Sequence, residues 1–342
     1  MDKKVIFAVA GSGKTSHIVE NLSLNKRSLI ITYTTANYDN IKAKILKKFN
    51  NEFPSSITLM TYFQFLYSFC YKPFLSDRIK AKGIIFESNK YKYSKKENQT
   101  YYMTDSGYFY SNRLAFSFEF FGILDDIKQR IEKYFDELVI DEIQDISGRD
   151  FNFLLNIMNS RINMLFVGDF FQHTFDTSRD GSVNKNLFNN YESYKNKFLI
   201  NGFTVDETTL DKSWRCNNLT CDFIRKNLNI NIFSHSNSSD NIKISYIDEN
   251  KEIKEILNND KIIKLHYENS KKHGYSHKNW GETKGEDQYN DICIILNKTT
   301  EELFLNNSLN KLAPSTKNKL YVALTRARRN IFFISYKKLQ DI

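Results

Sequence analysis

Residues 8–15 read Ala-Val-Ala-Gly-Ser-Gly-Lys-Thr, directly after the apolar run Val5-Ile6-Phe7. A glycine-rich loop between a buried strand and a helix offers successive backbone N–H groups to an anion, and phosphate is the anion that fits. In such a loop the main chain of Ala10, Gly11, Ser12 and Gly13 cradles phosphate oxygens. Lys14 reaches the outer phosphates and Thr15 holds Mg2+. Ala8 stands where the first glycine of the pattern usually does. Leu138-Val139-Ile140 is a second apolar run, ending in Asp141-Glu142-Ile143-Gln144-Asp145. Asp141 at the end of a strand suits the water shell of Mg2+, and Glu142 suits an attacking water. Acids after a strand are more often helix caps. Phosphoryl transfer needs both carboxylates beside a phosphate loop, and the pairing with Gly-Ser-Gly-Lys-Thr favours chemistry. A third apolar run ends in Gly168-Asp169 with Gln172 close behind, placed to sense a terminal phosphate.

These residues need strands to end where the chemistry begins. Apolar β-type runs occur at 5–9, 28–33, 57–60, 137–140, 164–167, 242–246, 262–265, 291–296 and 330–335. Helix-length segments lie between them, at 15–24, 37–49, 61–70, 114–134, 150–159, 216–228 and 316–329. Continuous apolar strands alternating with helices predict an α/β fold with parallel sheets covered on both faces. We expect a first unit over 1–176 and a second over 177–342. The first carries a small insertion at about 71–112, read as hairpins or irregular loops, and 177–202 reads as a polar connection.

The composition narrows the partners. The chain has 342 residues with 49 basic and 40 acidic side chains, a net charge of +9. A basic surface favours anionic partners, nucleic acid first, although lysines also simply solvate a surface. The four cysteines form no C-x-x-C pair, which argues against a zinc ribbon and for a reduced, cytoplasmic setting. The apolar run at the N-terminus is too short for a signal peptide. No stretch reaches the roughly 20 apolar residues of a membrane span.

The order of motifs resembles the UvrD/Rep/PcrA group of superfamily 1 helicases. Ala8 to Thr15 is similar to that group's phosphate loop. Thr32-Tyr33-Thr34-Thr35-Ala36 is similar to its TFTNKAA motif, and Asp141 to Asp145 to its DExQD box. Gly168-Asp169-Phe170-Phe171-Gln172 is similar to its GDxxQ motif, and 210–215, ending Trp214-Arg215, to its L-x-x-NYR motif. Lys284-Gly285-Glu286-Asp287 is similar to KGLE, and 321–328 to YVAxTRAR. The resemblance implies two RecA-like cores with ATP and Mg2+ between them. It implies catalytic roles for Glu142 and Gln172 from the first core and for Arg215 and Arg326 from the second. Arginine is scarce, 12 against 37 lysines, so its presence at both places carries weight. Trp214 takes the place of an adenine-stacking tyrosine, and Asp287 that of a ribose-contacting glutamate one methylene longer. The alternative to that stacking role for Trp214 is a core tryptophan. The resemblance also implies single-stranded DNA as partner, with RNA left open, and Tyr33, Thr34, Thr61 and Phe175 at the strand. Tyr91 and Lys92 lie in an interleaved Lys/Tyr run of the insertion that suits a strand, or a solvated edge with blocking lysines.

The sequence departs from the family in several places. Seven residues precede Ala8, too few for a glutamine motif. The Trp-Arg that follows GDxxQ is absent. Only 68 residues separate Arg215 from Lys284, where the family carries a large insertion. Two readings follow. The first is a translocase or helicase moving 3′ to 5′ by resemblance, needing a second copy or a partner protein to unwind. The second is a nucleotide-gated binding subunit of a larger nuclease or phage-defence complex.

Overall fold

The computed structural model describes residues 1–91, 94–174, 182–236, 242–272 and 276–340. Two parallel sheets organise it. The first has six strands in the order Ile57–Thr61, Ser28–Thr32, Glu137–Asp141, Asn163–Gly168, Lys3–Phe7, Thr204–Asp206. The second has five, in the order Ile244–Ile247, Ile331–Ser335, Ile292–Leu296, Ile263–His266, His277–Asn279. Every pairing in both sheets is parallel.

The side-chain period of two explains why these strands read as unbroken apolar runs. Val5, Leu29, Ile31, Leu138, Ile140 and Phe166 point into one core. Ile6, Ile30, Val139 and Val167 point into another on the opposite face. Helices Lys14–Glu20 and Thr35–Lys48 cover the second face through Ile18, Val19, Ile41 and Ile45. In the second sheet, Ile292, Ile294 and Phe333 face one core, while Cys293, Ile295 and Ile334 face another. A strand with helices on both faces has no side left for polar residues.

The nine expected strands are all present, and the fold is α/β with two tandem RecA-like parallel sheets. Differences arise where local pattern is weak. The expected helix over 114–134 is two, Leu114–Phe120 and Leu124–Tyr134, separated at Gly122, whose φ of 69° breaks the helical path. In the insertion, Gly83–Ile85 pairs with Tyr108–Tyr110 in parallel. A hairpin would be antiparallel; the helix Gln99–Tyr102 lies in the crossover that a parallel pair requires. Helix Phe65–Tyr71 is π-wound and runs on into Lys72–Ile79, so the insertion opens as helix.

The largest difference concerns 177–202. Its last part is the helix Tyr191–Leu199, and the strand Thr204–Asp206 joins the first sheet beside Lys3–Phe7. Tyr194 and Phe198 are fully buried in the first core. Two buried aromatics among asparagines and lysines do not raise the average hydropathy, and that hid the helix. The four cysteines are free and buried. No helix among the described residues is long and apolar enough to cross a membrane.

Phe198 tests this assignment. Its ring meets Phe7, Phe151, Phe166, Tyr194 and Phe203 at centroid separations of 5.2–6.5 Å. Phe198→Ala should destabilise the first lobe by about 3–5 kcal/mol in chemical denaturation. A loss below about 1 kcal/mol would remove 191–199 from that core.

Candidate active site

The glycine loop at 8–13 leaves the carboxyl end of Lys3–Phe7, in the crevice where parallel sheets bind ligands. Ala8 N–H continues the ladder to Gly168 O at 2.8 Å, and Val9 N–H reaches Leu210 O at 2.9 Å. Gly11 and Gly13 then turn the chain with φ of 71° and 89°. Lys14 is buried at the start of the helix, its ammonium 3.5 Å from Glu142 Oε1. Burial alone would lower its pKa; the charges of Glu142, Asp169 and Asp141 outweigh that and raise it, so Lys14 remains a cation.

Asp141 and Glu142 leave the strand Glu137–Asp141 with different environments. Asp141 is buried, which pushes its pKa up, and the Glu142 charge adds to the shift. Burial would raise Glu142 too, but Lys14 and Lys284 overcome it and hold Glu142 ionised. Neighbouring carboxylates driven apart in this way suit different tasks. Glu142 also sits at φ 56° and ψ 49°. A non-glycine residue held there costs about 1–3 kcal/mol, which the surrounding contacts must hold in place. Gln144 supplies one contact: its amide nitrogen donates to Glu142, and its Oε1 accepts from Asp169 N–H at 3.0 Å.

The second lobe closes over this surface. Trp214 N–H donates to Gly11 O at 2.9 Å. The Trp214 side chain is 70% exposed and stacks on His235 at 3.6 Å, so it is not a core residue. The buried tryptophan is Trp280, whose Nε1–H donates to Leu265 O at 2.9 Å. Arg215 donates to Thr325 O at 3.1 Å and pairs with Asp287. Arg326 is 1% exposed and donates to the carbonyls of Val322, Thr283 and Glu286 at 3.0–3.2 Å. Burial pushes its pKa down to about 10, still well above neutrality. Lys284 crosses between lobes to an ion pair with buried Asp145.

The result is an open cleft of about 1070 Å³. Gly11 to Thr15, Glu142 and Gln172 line it from one lobe; Trp214, Arg215, Asp287 and Arg326 line it from the other. The residues present fit a magnesium nucleotide. Ser12 Oγ and Asp141 Oδ1 are buried without a hydrogen-bond partner. An unpartnered carboxylate oxygen is what a hard divalent cation satisfies.

The expected strand-contacting residues do not gather in the same way. Thr34 borders the same cleft, and its hydroxyl caps helix Thr35–Lys48 by accepting from Asn37 N–H at 3.1 Å. Thr61 is likewise engaged, in a reciprocal cap with Gln64. Tyr33 is half-buried and stacks on Tyr62 at 6.3 Å. Tyr91 is exposed in the insertion, with its hydroxyl donating to Asp105 at 2.7 Å. Lys92 and Phe175 lie outside the described residues.

Gln144, Asp145, Lys284 and Tyr321 take part in the site without having been given a role from sequence. All four stand inside motifs, but a string of letters does not say which side chain faces which. Asn318 and Tyr321 carried one readable signal: at a spacing of three they share a helix face. That face meets the 168–173 turn, where Asn318 Nδ2 donates to His173 O at 3.2 Å.

Gly11 gives a direct test of the lobe contact. A Cβ there would stand 2.8 Å from both Arg215 Cβ and Ser213 Oγ. Gly11→Ala therefore has to push the lobes apart as well as strain φ. It should weaken nucleotide binding at least about tenfold, a loss of roughly 1.4 kcal/mol, by titration calorimetry. Unchanged affinity would mean that nucleotide binding does not depend on the two lobes packing as described.

Residues 121–335 match the family described as the viral superfamily 1 RNA helicase core domain, and residues 2–176 match an AAA domain family. No curated protein sequence matches the chain. Among solved structures, it is similar to arterivirus nonstructural protein 10, a helicase. That helicase in complex with DNA shows 15% identity and a TM-score of 0.50, covering 97% of this chain and 60% of that one. By itself it shows 13% identity and a TM-score of 0.50, covering 97% and 59%. The PRRSV helicase shows 14% identity and a TM-score of 0.49, covering 99% and 54%. The chain thus spans little more than half the length of these helicases, and at such identities the likeness is one of fold. The sequence match from 121 to 335 takes in more than half of the chain and runs from the acids of one lobe past Arg326 of the other; the chain belongs to the viral superfamily 1 RNA helicase core family.

Proposed function

We propose that the chain hydrolyses ATP in the cleft and uses the lobe motion to move along single-stranded nucleic acid. The observation that carries this reading is the convergence of charge from both lobes on one cleft. The Lys14 ammonium approaches from one side, with the neutral Gln172 amide beside it, and Arg215 and Arg326 from the other. Charge developing on phosphoryl oxygens calls for cations that arrive when a cleft closes. Glu142, ionised and held by Gln144, is the group that orients and deprotonates the attacking water. Lys14 and the amides of Gly11 and Gly13 hold phosphate, since Ala10 N–H, expected to join them, is taken by the Tyr321 hydroxyl and Ser12 N–H by Val9 O; Trp214 offers a ring face to the base. Thr15 and Asp141 would hold Mg2+, which when bound neutralises phosphate charge. Asp287, engaged by Arg215, stands at the ribose position.

We place the division between lobes in the segment 207–211, after the last strand of the first sheet. The motif order supports a UvrD-type motor with 3′ to 5′ movement. The family is described from RNA helicases, while the arterivirus relative was solved with DNA, so both strands belong in the test. Tyr33, Thr34, Thr61, Phe175, Tyr91 and Lys92 are proposed strand contacts. Unwinding would draw on a second copy or a partner protein for the duplex. One observation favours the nucleotide-gated switch instead: Arg326 is already held by three carbonyls and Arg215 by Asp287.

The test is ATP turnover with and without single-stranded DNA or RNA. Turnover should rise strongly with at least one of them. Lys14→Ala should abolish it. Glu142→Gln should keep ATP binding while lowering kcat by about 10²–10⁴-fold, the usual worth of a general base. Wild-type turnover in Glu142→Gln would remove Glu142 as the base. Tight nucleotide binding by the unmodified chain with negligible turnover would move the assignment to the switch.

A further inference from the structure

We propose that Tyr321 is a positioning residue for ATP hydrolysis, its hydroxyl setting the Glu142 carboxylate from the opposite lobe. The inference rests on the ATPase reading above. Tyr321 lies on the helix Pro314–Leu324 of the second lobe and is fully buried. Its hydroxyl accepts Ala10 N–H at 3.0 Å, where the chain enters the phosphate loop, and donates to Asp169 Oδ2 at 2.9 Å. Both partners belong to the first lobe. The other oxygen, Asp169 Oδ1, accepts Phe171 N–H at 3.1 Å. Asp169 N–H donates to Gln144 Oε1 at 3.0 Å, and the Gln144 amide donates to Glu142. A continuous chain of hydrogen bonds thus runs from a helix of one lobe to the candidate base of the other.

Burial alone does not produce such a link. The hydroxyls of Tyr71 and Tyr194 are also buried and find no partner. The helix bearing Tyr321 is docked at two further points on the same turn. Asn318 donates to His173 O at 3.2 Å, and the Tyr321 ring meets Phe171 edge-on at 5.9 Å. Arg326 follows two residues after the helix ends. A rotation of the second lobe that carries Arg326 toward or away from the nucleotide must also slide the Tyr321 hydroxyl against Ala10 and Asp169. One rigid helix then adjusts the arginine directly and Glu142 through Asp169 and Gln144, which makes turnover depend on lobe arrangement at two points.

Tyr321→Phe removes the hydroxyl and keeps the ring. It should lower kcat about tenfold while KM for ATP and the affinity for a non-hydrolysable ATP analogue stay within about twofold. A factor of ten is about 1.4 kcal/mol, within the range for one buried hydrogen bond. Tyr194→Phe, which removes a hydroxyl without a partner, should leave kcat unchanged. Gln144→Leu cuts the chain at its far end without touching the lobe interface. It should reproduce the loss in kcat at unchanged KM, and serves if Tyr321→Phe does not fold. Asp169→Asn combined with Tyr321→Phe should be no slower than the slower single variant, because groups acting as one unit are not additive. Wild-type kcat in folded Tyr321→Phe or in Gln144→Leu, a loss equalled by Tyr194→Phe, or multiplied effects in the double variant would each overturn the inference while leaving the ATPase reading intact. An unmodified chain that binds ATP without hydrolysing it would overturn both.

Discussion

The main chain of Ala10 and Gly11 is held from the opposite lobe on both of its polar sides. Ala10 N–H is taken by the Tyr321 hydroxyl, and Gly11 C=O by Trp214 N–H. The approach is close enough that a side chain at Gly11 would collide with Ser213 and Arg215. The glycine loop is therefore part of the contact between lobes as well as the floor of the cleft. Whatever enters the cleft and shifts the loop is felt by the second lobe through hydrogen bonds a few ångströms long. A coupling of nucleotide state to lobe arrangement needs a shared element of this kind, with two sites biasing it.

Charge in the cleft is arranged in opposed pairs that cross or border the same seam. Lys14 faces Glu142, Lys284 faces Asp145 across the lobes, and Arg215 faces Asp287. The pairs of Lys14 with Glu142 and of Lys284 with Asp145 are largely buried and are poor sources of net stability, because desolvation offsets much of their attraction, whereas Asp287 stands exposed. Removing one member is costly, since it strands the other. The pairs thus specify an arrangement more than they strengthen it, and an incoming polyanion with a divalent cation competes for both signs. The arginines and lysines that would meet phosphate are kept in place beforehand by the protein's own acceptors.

The parallel strands explain why these groups meet at all. Thr32, Asp141 and Gly168 end adjacent strands of the first sheet, and the loops that follow carry the chemistry out of one edge. Helices on both faces keep the strands rigid through the two cores that share each sheet. The short insertion packs its own aromatic side chains, Tyr101, Tyr102 and Phe109, into the first of these cores, so it buttresses the lobe as well as decorating it.

Sequence by itself was informative where a local rule is strong. Nine apolar runs became nine strands because a strand covered on both faces has no polar side and cannot be mistaken for an amphipathic helix. Gly-Ser-Gly-Lys-Thr after such a strand specified a tight glycine turn into a helix, because the glycines are required by the φ values of Gly11 and Gly13. Helix Tyr191–Leu199 was not legible, since two buried aromatics in a polar stretch are visible only once Phe7 and Phe166 stand beside them. The insertion's parallel pairing was hidden for a related reason: register between distant segments is set by packing. Tyr321 shows the limit most clearly. Its letter sits in a recognisable motif, yet its hydroxyl matters through Ala10 and Asp169, residues far away in the chain. Hydrogen-bond partners across a lobe boundary depend on how two finished sheets dock, and only the tertiary structure decides that.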